Sequence, residues 1–543
     1  MSKARTWAAC CAVGVTVCLG ASAGAAETPG GAAQPGGSPP GMQFSLRAQA
    51  PAGTPAPVPT YTLTIKESIV LALQNNLDIT VESFNPRIRE GDIATARAAF
   101  DPVFSGAVNA NRSRTRGNTA PFIIGALPAT DTRTFNFNLQ LNDKLPTGAT
   151  AQLAWTNQRT RSNSITNLFD QGYATALTLT VSQPLLKNFG IDYNTTPIKL
   201  AINNREIARS TLTTRIFDVI TNVQNAYFDL STAQQTLEVQ RRSLALAEDL
   251  VNLNKARVRA GVAPPVEITQ AEAQAATRRQ AVIAAVKTLR DAEDALRVVL
   301  NLPAGSAGWK GTLVPAERPP FQAVTVDLED ALRTAFSKRP ELASGKVDIA
   351  NKELNRRLTR NQLLPDLQAV GSAGLTGLDG VVRTRNAPPI ISSGGEGSSL
   401  GSLVSGQFNN WSAGLTLTMP LGNRAAEAAY TQAALQEEQS RASLRNLELQ
   451  ITAQVREAVR RIETGAESVE AARVARELAE EQLRVEEARL RLGVTTTFNV
   501  LQFQRDLTAA QASEVQAVNE YQKALANLER VQGTVLEKFR MEL

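Results

Sequence analysis

Histidine is absent from this chain of 543 residues, and its three cysteines, Cys10, Cys11 and Cys18, all stand near the N-terminus. The inventory excludes histidine acid–base catalysis, Ser-His-Asp and Cys-His triads, and Cys/His zinc sites. Aromatic residues make up only 5% of the chain and do not interleave with basic clusters, so the net charge of +6 belongs to a solvated surface, with no nucleic acid as partner. Gly345-Lys346 is followed by Val347 and lacks the upstream glycine spacing of a phosphate-binding loop. Carboxylates remain, yet no Asp/Glu pair sits in a setting that singles it out. The sequence therefore offers no catalytic, cofactor-binding or metal-ligating residues, and the expectation is a protein that is not an enzyme.

Lys3 and Arg5 precede an apolar run from about Trp7 to Leu19, followed by small residues suited to cleavage. Residues 1–25 read as a secretory signal peptide, too short for a membrane span. Val17 is bulkier than the residue a lipid-acceptor Cys18 would want before it. Residues 26–60, rich in Pro, Gly and Ala, read as an extended leader without a core.

Beyond the leader the plan is doubled. Leu63–Leu73 has helical spacing with a Thr64 cap and Glu67 three residues on, and a second helix runs from about Asp78 towards Phe100 with a disturbance at Pro86. The same plan returns at Val326–Phe336, with Pro365 in the place of Pro102, an offset of 365 minus 102, or 263. Further on the offset is 493 minus 261, or 232, so the first copy holds about 31 extra residues. The division is 61–303 for repeat 1, 304–325 for a linker, 326–531 for repeat 2 and 532–543 for a tail.

The excess lies where the periodicity becomes two. From Phe135 to Asn142 each odd position is apolar and each even one is Asn or Gln; Leu153/Trp155, Leu177/Leu179 and Trp411/Leu415/Leu417 alternate likewise. A soluble sandwich and a membrane β-barrel both fit such alternation. Strand lengths, long and tight connections in turn, aromatics near strand ends and the signal peptide favour the barrel. Four candidate strands fall in the first copy, around the tight Pro146-Thr147-Gly148 turn, and two in the second.

After Pro184 and Pro420, the strand-to-helix junctions, long helices are expected. Ile216, Val223, Leu230, Leu237, Leu244, Val251 and Val258 step by seven; Val455, Ile462, Val469, Leu483 and Leu490 keep the step, with Arg476 interrupting. That period is the mark of a coiled coil. A helix over about 197–260 would span roughly 95 Å. It ends at Arg259-Ala260-Gly261-Val262, and its counterpart at Arg491-Leu492-Gly493-Val494. Both glycines can adopt the left-handed conformation that stops a helix, which makes the two segments hairpin tips. Returning helices run from Val266 to about Leu300 and from Phe498 to about Val531.

This order of elements, the doubled tip and the two junction prolines resemble the outer membrane efflux protein family, the TolC-like channels, over about Thr62–Val531. The resemblance implies an α+β membrane protein: long antiparallel coiled-coil helices forming a periplasmic α-barrel, plus a transmembrane antiparallel β-barrel, assembled as a homotrimer with two internal repeats per chain. It implies a passive outer-membrane exit duct for small molecules, metals or proteins, with a periplasmic adaptor protein, an inner-membrane transporter and outer-membrane lipid as partners. Arg259, Gly261, Val262, Arg491, Gly493 and Val494 would then be tip residues contacting the adaptor. Glu267 and Asn499 stand where the family commonly has an acid lining the entrance, and Asn499 departs from that pattern. Glu267 also fits a plain first-turn acid favoured by the helix dipole. Four strands in the first copy would make 18 per trimer (3 × 6) in place of the family's usual 12 (3 × 4). The readings of another class are a structural or adhesive coiled-coil envelope protein and a carboxylate-based envelope hydrolase.

Overall fold

The structure, a computed structural model, describes residues 60–116, 129–164, 167–303, 305, 307–317, 321–382 and 392–539. The expected signal peptide, its cysteines and all of the leader except Thr60 lie outside the described residues. In chain order the elements are β1 (Thr60–Leu63), α1 (Ile65–Asn75), α2 (Leu77–Ala98), β2 (Val103–Thr115), β3 (Thr130–Lys144), β4 (Thr150–Ser162), β5 (Phe169–Pro184), α3 (Ile191–Asn194), α4 (Thr196–Arg259) and α5 (Val266–Leu300). There follow α6 (Ala307–Lys310), β6 (Thr312–Pro315), α7 (Leu328–Lys338), α8 (Pro340–Asn361), β7 (Asp366–Val382), β8 (Ser392–Ser393), α9 (Glu396–Val404), β9 (Asn409–Thr418), α10 (Arg424–Arg491), α11 (Thr497–Gln532) and α12 (Val535–Phe539). The architecture is α+β.

Local chemistry starts and stops these elements. At α1 the Thr64 hydroxyl accepts from Glu67 N–H (3.2 Å) while the Glu67 carboxylate accepts from Thr64 N–H (2.9 Å), closing a capping box. Asn76 caps α2 by accepting from the backbone N–H groups of Asp78 and Ile79. Contrary to expectation, α2 runs unbroken through Pro86. A proline costs one intrahelical bond, and packing along α4 holds the helix together across that gap.

The seven-residue rows of α4 and α10 become the seams of the helical part. Ile216, Val223, Leu230, Leu237 and Val251 are buried, as are Val455, Ile462, Val469, Leu483 and Leu490. Arg476 occupies the row without breaking it, because its guanidinium reaches across the hairpin to Glu514 of α11 (2.7 Å) and along its own helix to Glu480 (3.1 Å). One core gathers residues of α1, α4, α5 and β6 with Val535 of α12, so part of the expected C-terminal tail is packed. A second joins α7, α8, α10 and α11.

The segment expected to be a plain linker carries structure: β6 pairs in parallel with β1, from Thr60↔Thr312 to Leu63↔Pro315. Buried Arg297 of α5 anchors it, donating to the carbonyls of Gly308 (3.2 Å) and Gly311 (2.6 Å). Tyr521 Oη donates to Gln322 O and accepts from Val324 N–H, tying the same strap to α11.

All the long strands form one antiparallel sheet in the order β2-β3-β4-β5-β7-β9, with the two-residue β8 paired at the far end of β7. The register sorts most side chains by face. Phe104, Leu141, Leu153, Leu179, Ala373 and Trp411 form one cross-strand row; the adjacent row, on the opposite face, is Ser105, Gln140, Ala154, Thr178, Gly374 and Asn410. One face is mainly hydrocarbon and the other mainly polar or small, with Asn157 and Thr175 on the first and Val370 and Leu378 on the second. The hairpin β3–β4 lies inside this sheet. Among the described residues, its apolar face is bare except where α9 lies over β5 and β7, with Ser399 Oγ donating to Gly377 O (3.2 Å). Helix α9 falls in a Gly/Ser-rich stretch between β7 and β9. The outer strands β2 and β9 are exposed along their whole length, and among the described residues each pairs on one side only.

Candidate functional site

The two hairpin tips end their helices in the same way. Val262 N–H donates to Arg257 O (3.0 Å) and Gly261 N–H to Val258 O (3.0 Å); Val494 N–H donates to Arg489 O (3.1 Å) and Gly493 N–H to Leu490 O (3.1 Å). This is the Schellman closure, with Gly261 at φ +74° and Gly493 at φ +75° in the left-handed region. Among the described residues no atom lies within 4 Å of where a Cβ would stand on either glycine, so their role is conformational and not steric.

The structure brings the tips together through a buried polar cluster. Thr497, the first residue of α11, donates its hydroxyl to the Glu267 carboxylate of α5 (2.7 Å) and lies 3.2 Å from Asn254 Oδ1 of α4. Asn254 is fully buried and donates to the Glu267 backbone carbonyl (3.3 Å). Arg257 Nη1 approaches the same carboxylate to 3.7 Å, an ion-pair separation too long for a hydrogen bond, and that buried nitrogen has no hydrogen-bond partner. Glu267 is thus engaged on both sides within the chain, with a side chain 19% exposed.

At the second tip the carboxylate comes from Glu486 of α10, which sequence reasoning passed over. Buried Glu486 accepts from the Thr495 hydroxyl and from Arg489 (3.4 Å), and exposed Asn499 donates to Thr495 Oγ1 (3.1 Å). The 232-residue offset that aligns the tip glycines aligns Asn254 with Glu486 and Glu267 with Asn499. Acid and amide have exchanged places between the two hairpins, so each tip keeps one carboxylate. The signal was present in the offset, but only a neighbour across the turn gives it meaning.

Beneath the cluster, Leu250 of α4 packs with Leu483 and Leu490 of α10 and Val500, Leu501 and Leu507 of α11, joining the hairpins over their last turns. Above it the surface is apolar and open: Val262 is 67%, Leu492 79% and Val494 72% exposed, and Val266 and Phe498 are exposed beside them. Arg259 Nε donates to Lys255 O (3.2 Å), satisfying a carbonyl at its own helix end; Arg491 is exposed and borders a groove with Leu246, Leu253 and Glu487. The junction prolines lie at the other end of α4 and α10. Pro184 is the buried last residue of β5 and pairs with Gln368; Pro420 follows β9 and is exposed.

The family model described as outer membrane efflux protein matches residues 147–302 and 331–534. Among curated proteins, "Outer membrane efflux protein BepC" of Brucella suis biovar 1 (strain 1330) is 24% identical over 461 residues, covering 84% of this chain and 82% of that protein. "Nodulation protein T" of Rhizobium leguminosarum bv. trifolii is 23% identical over 316 residues, covering 57% of this chain and 62% of that one. Among solved structures, the Campylobacter jejuni CmeC outer membrane channel superposes with a TM-score of 0.62 at 15% identity, covering 87% of this chain and 85% of the other.

Proposed function

The chain belongs to the outer membrane efflux protein family, and on that premise we propose that three copies of it form an exit duct through the outer membrane. The observation that carries the reading is the six-strand sheet, apolar on one face and polar on the other, with both outer strands unpaired along one side. Open edges of 13 and 10 residues are a liability unless another chain covers them, and pairing β2 of one copy with β9 of the next closes a barrel. Three copies supply 3 × 6, or 18, strands, with the Asn, Gln, Ser and Thr face lining water and the Leu, Phe and Trp face in lipid.

The helices support the same assembly. Leu478 and Val485 of α10 and Leu492 at its C-cap, seven residues apart, are exposed, as are Leu77, Val81, Phe84 and Ile88 of α2. Apolar stripes at coiled-coil spacing call for neighbouring helices. In the proposed trimer the two repeats, 61–303 and 326–531, each contribute one long hairpin to a periplasmic wall, and Pro184 and Pro420 mark where strands give way to it. The tips form the inner mouth. Val262, Val494 and their arginines Arg259 and Arg491 would meet a periplasmic adaptor and an inner-membrane transporter, while the carboxylates of Glu267 and Glu486, beside Arg257 and Arg489 of the same chain, would hold the tips in shape. The duct carries small molecules, metals or proteins passively, with the energy coming from the transporter.

Native mass spectrometry of the full chain in detergent should give the mass of three copies, and planar bilayers should show discrete conductance. Ala107→Cys on β2, paired with cysteines scanned along positions 410–416 of β9, should form intermolecular disulfides in one register. A single-chain mass without conductance would sink the proposal and favour a structural stalk.

A further inference from the structure

The far ends of β2, β3 and β4, away from the long helices, carry five arginines on one face. Arg112, Arg133 and Arg161 stand directly opposite one another in the ladder; Arg159 is opposite Phe135, and Arg114 is opposite Asp131. By register all five share the face of Phe135, Phe137, Leu139 and Leu141; Arg159 stands level with Phe135, and the other four lie two to four residues beyond it. The other face at the same level holds Ser113, Thr132 and Ser162, then Asn111, Thr134 and Thr160. The charge is therefore confined to the outside of the sheet.

Among the described residues Asp131 is an acid that forms ion pairs with these arginines. Asp131 pairs with Arg112 (2.5 Å) and lies 4.0 Å from Arg133, whose side chain is 60% exposed. Arg159 packs over the Tyr173 ring, and Glu396 of α9 lines the same cleft. Asp379, opposite Tyr173 in the ladder, accepts from Gly380 N–H (2.7 Å). Strands lie about 4.8 Å apart, so the Arg112–Arg133–Arg161 row puts three like charges within about 10 Å, an unfavourable arrangement without counter-charge from outside.

We infer that this patch binds the phosphate groups of a phosphorylated lipid in the outer leaflet. Guanidinium forks match phosphate oxygens bidentately, and basic clusters at the edge of a hydrocarbon band meet headgroups. Phe135 and Phe137 below would contact the lipid's chains while the arginines hold its head. The inference rests on the reading that the apolar face of the sheet faces lipid.

The test uses the full chain in detergent with a diphosphorylated lipid A, its phosphate-free form and inorganic phosphate as probes, read by native mass spectrometry. Wild type should retain the diphosphorylated lipid at least about tenfold more strongly than the R133Q/R161Q variant, each lost guanidinium–phosphate contact being a charge-assisted hydrogen bond. Equal retention by the two proteins, equal binding of the phosphate-free lipid, or displacement by an equimolar amount of inorganic phosphate overturns the proposal. The underlying reading is checked separately in bilayers. A label at Leu139→Cys should be quenched by a chain-borne nitroxide, and Gln140→Cys should react with a water-soluble thiol reagent. The reverse pattern refutes the face assignment whatever the lipid result; the expected pattern with equal lipid retention refutes only the phosphate site.

Discussion

Replacing Glu267 by alanine tests the polar cluster that ties the two hairpin tips. The substitution removes a hydroxyl-to-carboxylate hydrogen bond of 2.7 Å from Thr497. A bond of that kind in a part-buried site contributes about 1.5–3 kcal/mol. It also deprives Arg257, 3.7 Å away and 21% exposed, of its counter-charge, a further ~0.5 kcal/mol after allowance for solvent. Together these predict a loss of about 2–3.5 kcal/mol in tip association, or roughly 30- to 300-fold in the opening equilibrium. Amide hydrogen exchange of the intact protein, followed over 254–270 and 486–500, reads that quantity directly.

Thr497→Val completes a double-mutant cycle, with an expected coupling to Glu267→Ala of about 1.5 kcal/mol. Asn499→Ala, on an exposed side chain bonded to Thr495, should change exchange by less than about 0.5 kcal/mol. If Thr497 gave its proton to Asn254 instead, the cycle would show coupling near zero, and the account of Glu267 as the tie would be wrong. In the proposed duct, looser tips should also appear in bilayer recordings as more frequent wide states.

Three further outcomes follow from local geometry. Gly493→Ala should cost about 1 kcal/mol in thermal unfolding from its positive φ alone, since space for the methyl is open. At Gly377 the added Cβ would stand 2.1 Å from Ser399 O, so Gly377→Ala should lift α9 off the sheet and raise its hydrogen exchange, leaving β7–β9 pairing intact. Arg297→Met should destabilise by about 3–5 kcal/mol, because buried Glu293 loses its partner and the Gly308 and Gly311 carbonyls lose their donor. The E293L/R297M double variant should recover part of that loss by calorimetry.

Where local periodicity and tertiary packing agree, the sequence is an accurate guide. The heptad row expected over 197–260 is α4 at Thr196–Arg259, and the turn at Pro146 separates β3 from β4. What stayed hidden depends on partners far along the chain. Helix α9 has a Gly/Ser-rich sequence without a clear period, and it is held by Ser399 and Leu403 against strands whose positions no local window reveals. Strand β6 exists because Arg297 and β1 hold it. Asn254 and Glu486 read as unremarkable helix residues until the turn folds Thr497 and Thr495 onto them. The Arg476 position reads as a fault in a heptad row until Glu514 stands opposite.

The hairpin β3–β4 gives the assembly its last quantitative test. In the proposed trimer, four long helices of each chain lie side by side at the tip level (α4, α5, α10 and α11), making 3 × 4, or 12. At interaxial distances of about 8–10 Å, such a ring measures roughly 95–120 Å around. Eighteen strands about 4.8 Å apart, tilted by about 40°, give a circumference of roughly 113 Å, whereas twelve give roughly 75 Å. The additional hairpin therefore brings the sheet to the girth of the helical wall. Strands β2 and β5 run in opposite directions, as the β2–β3, β3–β4 and β4–β5 pairings require. A variant in which a short turn replaces residues 130–162 and joins β2 to β5 thus keeps a workable topology with four strands per chain. Its pore area should fall by the square of the strand ratio, to about 0.4–0.5 of the original, and single-channel conductance with it, if the barrel is the narrowest section when open. An assembled variant that conducts like the parent would show that β3–β4 does not set the bore.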